Sequence, residues 1–127
     1  MSYSKEAKHE FIELMKKRTK KFAVDIIHFC DSLTGSKSCR TITFQLIKSA
    51  TSTGANYRAA CRGRSKAEFH SKLSITLEEG DESQYWLEVI KDAKLNCNQK
   101  ELERLLKEIS ELVAILTKAR KTNSQGK

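Results

Sequence analysis

The sequence predicts an all-α protein, an antiparallel up-down four-helix bundle. Three observations carry this expectation. The 127 residues contain no proline and only 5 glycines, too few turn formers for a β-rich fold. Apolar residues recur three and four apart over four long segments, the spacing of a buried helical face. The connections between segments are short, roughly three to six residues, which favours antiparallel neighbours. One domain is expected at this length. It covers residues 1–121, and 122–127 read as a disordered tail.

The first helix is expected from about Lys5 to Leu33. Phe11, Met15, Phe22, Ile26, Phe29 and Leu33 return to one face, widened by Leu14, Ala23, Ile27 and Cys30. Thr34-Gly35 is the expected stop, with the glycine as a left-handed cap. The second helix is expected from about Cys39 to Cys61, with Ile42, Leu46, Ala50, Tyr57 and Cys61 inward and Phe44 and Ile47 beside them. Its middle, Ser49 to Ala55, is poor in helix formers, so a kink near Gly54 is an expectation. The third helix opens on Ser65-Lys66-Ala67-Glu68, the pattern of a capping box. It is expected to reach about Leu95, with a stripe of Phe69, Leu73, Leu77, Gly80, Gln84 and Leu87. Ile75, Trp86, Val89 and Ile90 add apolar surface beyond one packing contact, which points to a second packing face. The fourth helix opens near Asn98 and carries Leu102, Leu105, Ile109, Leu112, Leu116 and Ala119 at bundle spacing.

The hydrophobic content is 39% and the charged content 31%, which suits a folded domain rather than disorder. No run approaches the roughly 20 apolar residues of a membrane span. Met1 to Glu10 is polar and lacks a secretory hydrophobic region, so a cytoplasmic protein without a membrane is expected. The net charge is +8, and its distribution is uneven. Residues 35–66 hold seven bases (Lys37, Arg40, Lys48, Arg58, Arg62, Arg64, Lys66) and no acid, whereas residues 67–96 hold three bases and seven acids.

Arg58, Arg62, Arg64 and Lys66 bracket the turn between the second and third helices. Guanidinium forks suit phosphates, and Ser65 stands among them at a helix start. Contact with a nucleic-acid backbone is one reading. Pairing with acids across an interface, or simple solvation, is the other. No RNP aromatic pair, zinc-finger spacing or GxxxxGK loop is present, so any binding would rest on phosphates and be salt-dependent.

The remaining chemistry-bearing residues read as structural. His9, His28 and His70 have no partner at metal-ligand spacing, and no metal or other cofactor is expected. Cys30, Cys39, Cys61 and Cys97 contain no CxxC pair and read as small apolar side chains or free thiols. Glu78 and Glu82 lie one turn apart, and as like charges they favour a basic partner from the second helix or another subunit. A solvated acidic face is the plainer alternative. Tyr85 and Trp86 read as core or interface anchors. No nucleophile–base pair or metal set is visible, so no enzymatic activity is expected.

Gly54-Ala55-Asn56-Tyr57-Arg58-Ala59-Ala60, then Arg64-Ser65-Lys66-Ala67-Glu68-Phe69, then Lys72-Leu73, Glu78 and Tyr85-Trp86-Leu87 together resemble the four-helix-bundle family of 23S rRNA intervening-sequence proteins (the S23 family). The resemblance covers nearly the whole chain and is densest from about Leu46 to Leu87. It implies an up-down bundle that assembles into a ring, typically a homopentamer, with no enzymatic activity. It also implies a relation to accessory proteins of diversity-generating retroelements, where a basic pentameric barrel binds nucleic acid and a reverse transcriptase. A reverse transcriptase partner follows only if this chain is retroelement-associated.

Matched by motif, Asn56, Tyr57 and Arg58 fit the family's Asn-Tyr-Arg. Arg64, Ser65 and Phe69 fit the start of its third helix, and Glu78 its acidic position. Ala59 departs, since the family often has Glu there. That change either sharpens a positive patch around Arg58 and Arg62 or removes a structural ion pair. The first functional expectation is a non-enzymatic homo-oligomeric bundle touching RNA or DNA phosphates through the seven bases of residues 35–66. The alternative is a structural or protein-interaction ring without a direct nucleic-acid role. In both, Asn56, Tyr57, Glu78, Glu82, Tyr85 and Trp86 are structural or interface residues.

Overall fold

A computed structural model gives the fold. It describes residues 4–33 and 35–125, with side chains up to Thr122. Four helices follow in order: α1 (Lys5–Ser32), α2 (Lys37–Cys61), α3 (Lys66–Asp92) and α4 (Gln99–Gln125). Each packs on the next and α4 returns to α1, while among the described residues the diagonal pairs bring no Cα atoms within 8 Å. This is the antiparallel four-helix bundle expected from the sequence.

All four helices start with the same chemistry. A short polar side chain accepts a hydrogen bond from the amide three residues on: Ser4 from Ala7 (3.0 Å), Ser36 from Cys39 (3.3 Å), Ser65 from Glu68 (3.0 Å) and Asn98 from Glu101 (3.1 Å). Ser36 starts α2 at Lys37, two residues before the expected Cys39. At Ser65 only half of the expected capping box forms, because the Glu68 carboxylate does not bond back to the Ser65 amide.

The helix ends differ more from expectation. α1 stops at Leu33, whose backbone is extended and whose N–H donates to the Cys30 carbonyl at 3.1 Å. Gly35 is therefore not the cap. It lies in the connection, at a φ of 148° that side-chain-bearing residues rarely adopt. Thr34, the other residue of the expected stop, lies outside the described residues. α3 ends at Asp92 rather than near Leu95. Lys94 takes a left-handed φ of 56°, its N–H donates to Lys91 at 3.1 Å, and the Leu95 N–H donates to Ile90 at 3.2 Å. This is a Schellman ending with lysine where glycine is usual. Residues 126–127 of the expected tail also lie outside the described residues.

α2 runs unbroken through Ser49–Ala55. Its hydroxyls are satisfied within the helix: Thr51 donates to the Ile47 carbonyl and Thr53 to the Ser49 carbonyl, both at 2.8 Å. The small side chains admit neighbours on both sides. A Cβ placed on Gly54 would stand 3.4 Å from the Thr19 carbonyl oxygen of α1. On the other side, the Ser83 hydroxyl of α3 donates to Ser49 at 2.9 Å in a buried contact. Tertiary packing thus overrides weak local propensity.

The core follows the predicted stripes and also takes in Ile90, which was expected on a second packing face of α3. Met15, Phe22, Ile26, Leu46, Tyr57, Leu73, Leu87, Ile90, Leu102, Leu105, Ile109 and Leu112 are buried essentially completely. Phe44 of α2, expected beside the inner face, is 64% exposed, and three expected positions on α1 turn outward, Phe11 (38%), Leu14 (52%) and Ile27 (36%). Thr19 takes the inner position instead, donating its hydroxyl to the Met15 carbonyl at 2.9 Å. The α1–α4 side is the least closely packed, and ion pairs bridge it. Arg18 donates to Glu108 at 2.7 Å and Glu111 at 3.0 Å, and Arg104 donates to Asp25 at 2.9 Å.

Candidate nucleic-acid interface

At about 100° of rotation per residue, Lys37, Arg40, Lys48, Arg58 and Arg62 fall within an arc of about 80° on α2. That arc faces away from the core, because the inner face of α2 is occupied by Leu46, Ser49, Ala50, Thr53, Tyr57 and Ala60. The rise of about 1.5 Å per residue spreads these bases over roughly 37 Å. Arg64 and Lys66 continue the series through the turn. Gly63 makes that turn possible: a Cβ there would lie 3.0 Å from the Ala60 carbonyl oxygen and 3.2 Å from the Phe69 amide nitrogen. A side chain at this point would crowd both backbones where the chain folds back under the start of α3.

All seven bases of residues 35–66 are exposed. Among the described residues none of them takes part in an ion pair, although five other bases of the chain do. The intrachain pairing of Arg58, Arg62 or Arg64 with Glu78 or Glu82 is therefore absent. The acid that feels this segment is Glu79. Its carboxyl is pushed above the usual value by partial burial and by Glu82, and the charge of Lys48 only partly offsets this.

The other singled-out residues lie elsewhere. Asn56 is half-buried and donates its amide to the Ser52 carbonyl at 2.9 Å, within α2. Tyr57 is a core residue, and burial pushes its phenol above the ordinary range. Glu78 is exposed, and half-buried Glu82 accepts from the Trp86 indole at 3.3 Å. Tyr85 is 55% exposed and meets Trp86 edge to face, with centroids 5.0 Å apart. The structure thus brings Glu82, Tyr85 and Trp86 together on α3 and keeps them apart from the arginines at the turn.

His9 and His28 are exposed and His70 is half-buried. Among the described residues no three His, Cys, Asp or Glu side chains gather closely enough to hold a metal ion. Burial pushes the Cys30 thiol up to about 12, far from the thiolate a nucleophile needs. An open groove between α3 and α4, bridged by Lys91 and Glu103 at 3.0 Å, carries mixed charge. No described helix is long and apolar enough to cross a membrane.

Residues 13–118, reaching all four helices, match the family model described as 23S rRNA-intervening sequence protein. The chain belongs to this family. Among solved structures, it is similar to a protein of unknown function from the S23 ribosomal protein family of Bacteroides thetaiotaomicron. The two are 30% identical with a TM-score of 0.79, over 87% of this chain and 98% of that one. No curated protein matches. Family membership confirms the recognition drawn from Asn56-Tyr57-Arg58 and the segments around it.

Sequence reasoning missed two sets of residues. Thr19, Ser49, Thr53, Thr76 and Ser83 are buried hydroxyls, indistinguishable in sequence from surface ones. The bases outside residues 35–66 went unweighed, because only the order of packing shows which of them share a surface with the turn.

Proposed function

We propose that this protein is a non-enzymatic, homo-oligomeric helical bundle that contacts RNA or DNA through backbone phosphates. One observation carries the reading. Every base in the acid-free segment is exposed, and none is used in an ion pair among the described residues. Seven cations kept free of internal partners lower the desolvation and competition that a phosphate would otherwise meet. Arginine forks would take phosphate oxygens in pairs, and the backbone contact would carry no sequence information.

Assembly is supported by apolar side chains that one chain leaves uncovered, Phe44 at 64% and Leu14 at 52% exposure among them. The same observation favours the second reading, a structural or protein-interaction ring with no direct nucleic-acid role. Binding to a generic RNA and a duplex DNA, measured across a salt series, separates the two. The proposal expects binding at low salt that falls steeply as salt rises. Absence of binding at low salt, or binding insensitive to salt, overturns it. Light scattering should give a mass above that of one chain, and a clean monomer overturns the oligomer. On the second reading, replacing Arg58, Arg62 and Arg64 would disrupt assembly instead of binding.

A further inference from the structure

The antiparallel order gathers four chain segments at the end of the bundle that holds the α2–α3 turn. These are the first half of α1, the second half of α2, the first half of α3 and the second half of α4. Three cross-helix contacts set the level of each. The Gly54 position lies against Thr19, Ser49 meets Ser83 at 2.9 Å, and Arg120 donates to Ser74 at 3.2 Å. Residues 4–19, 54–79 and 112–122 make up this end, and they hold thirteen bases against six acids, net +7. Residues 20–53 and 80–111 make up the opposite end, and they hold ten of each. Counting Glu108 and Glu111 with their partner Arg18 still leaves the turn end at +5. The net charge of the chain is therefore polarised along the bundle axis, and not only along α2.

Nine exposed bases at this end take part in no ion pair among the described residues, including Arg58, Arg62, Arg64, Lys66, Lys118 and Lys121. The last two come from α4, the helix diagonal to α2, so no line along α2 includes them. The most exposed aromatics, Phe44 and Tyr85, belong to the neutral end. Among the described residues the turn end exposes one aromatic of this kind, Phe11 at 38%, too few for the run of rings on which successive single-stranded bases stack. What it offers is a charged face. Helix axes 8–10 Å apart, with their side chains, make such a face about 20 Å across. That width spans the two phosphate walls of a duplex groove of about 12 Å.

We propose that the turn end of the bundle docks end-on against the phosphate backbone of a double-stranded nucleic acid, with Lys118 and Lys121 of α4 as further contacts beside the arginines of the turn. The inference rests on the nucleic-acid reading above and deepens it. Three double variants test it, each removing two charges: Lys118→Gln/Lys121→Gln, Arg62→Gln/Arg64→Gln, and Lys100→Gln/Lys107→Gln at the opposite end. Circular dichroism checks that each folds, and Lys118→Ala/Lys121→Ala stands in if the first glutamine pair does not.

Binding is measured to a duplex RNA, a duplex DNA and a single strand between 50 and 200 mM salt. Each lost phosphate contact lowers the salt slope by about 0.9, so two lower it by about 1.8, or about 12-fold over this salt range. The α4 and the turn variants should both show this loss on duplex, and the Lys100/Lys107 variant should not. The RNA and DNA arms show which duplex is preferred. If the turn variant loses slope and the α4 variant does not, the end-on inference falls while the functional reading stands. Equal loss in all three variants, or tighter binding of the single strand, also overturns it. A wild-type protein that binds none of the probes overturns both.

Discussion

Gly54 offers a sharp test of how closely α1 and α2 approach. A methyl group at this position would stand 3.4 Å from the Thr19 carbonyl oxygen and 3.5 Å from the Thr19 carbonyl carbon, which is ordinary van der Waals contact. Gly54→Ala therefore adds a side chain that fits. It also removes the glycine penalty inside a long helix, about 0.8–1.0 kcal/mol. The expected gain is about 0.5–1 kcal/mol, a rise of roughly 2–6 °C in Tm for a domain of this size. Gly54→Leu directs a γ carbon at the backbone of α1, which cannot rotate away as a side chain could. Overpacking of that kind costs about 1–3 kcal/mol, more than the propensity gain returns. The assay is urea unfolding followed by helical circular dichroism, at one protein concentration because assembly would shift apparent stability. Loss of more than about 0.5 kcal/mol in the alanine variant would refute the reasoning. A leucine variant as stable as wild type would do the same.

Three further outcomes are expected. Lys94→Gly should stabilise the chain by about 0.5–1 kcal/mol, because a side-chain-bearing residue held at φ 56° is strained where glycine is not; urea midpoints measure it, and a loss counts against the assigned helix ending. Arg18→Ala should cost about 0.5–1.5 kcal/mol, since it strands Glu108 and Glu111 without their shared cation on the α1–α4 side. That cost should shrink in 1 M salt, and a salt-independent loss would point to packing instead. Burial pushes the Asp25 carboxyl up, but hydrogen bonds from Lys21 and Arg104 outweigh it and hold the carboxyl below its usual value. Its contribution to stability is present above the unfolded value of about 3.9 and is lost as pH falls through the lower folded value. Asp25→Asn should flatten the decline of Tm below about pH 4, and equal acid slopes in the two proteins would contradict this.

Much of the fold was legible because burial on a helix leaves a period. The α4 stripe of Leu102, Leu105, Ile109, Leu112 and Leu116 is buried just as its spacing implied. Ser65 and Asn98 were legible as helix starts by their chemistry. Thr19 and Ser83 were not legible as core, because a hydroxyl that bonds to the preceding turn is buried without any apolar signature. The end of α1 near Leu33 was legible but its cap was not, because a glycine two residues away looked like one, whereas Leu33 closes the helix in an extended conformation. The same limit applies to the candidate site. The acid-free segment is a fact of composition, but whether its arginines meet acids depends on helix rotation, and Glu78 and Glu82 turn out to lie away from them.

The sequence alone determined that this is a helical bundle of four long elements, that it belongs with the 23S rRNA intervening-sequence proteins, and that its positive charge is concentrated before residue 67. Hydrophobic period, cap chemistry and charge order are local properties, and local properties survive in a linear string. Tertiary structure decided the rest: that all seven bases are exposed and unpaired among the described residues, that α1 and α4 are joined by ion pairs, and that the turn shares its end of the bundle with Lys118 and Lys121. Those facts depend on which residues, far apart in the chain, are brought to one level by antiparallel packing. Electrostatic fields add in space, so the axial polarity of the molecule exists only once the helices are side by side.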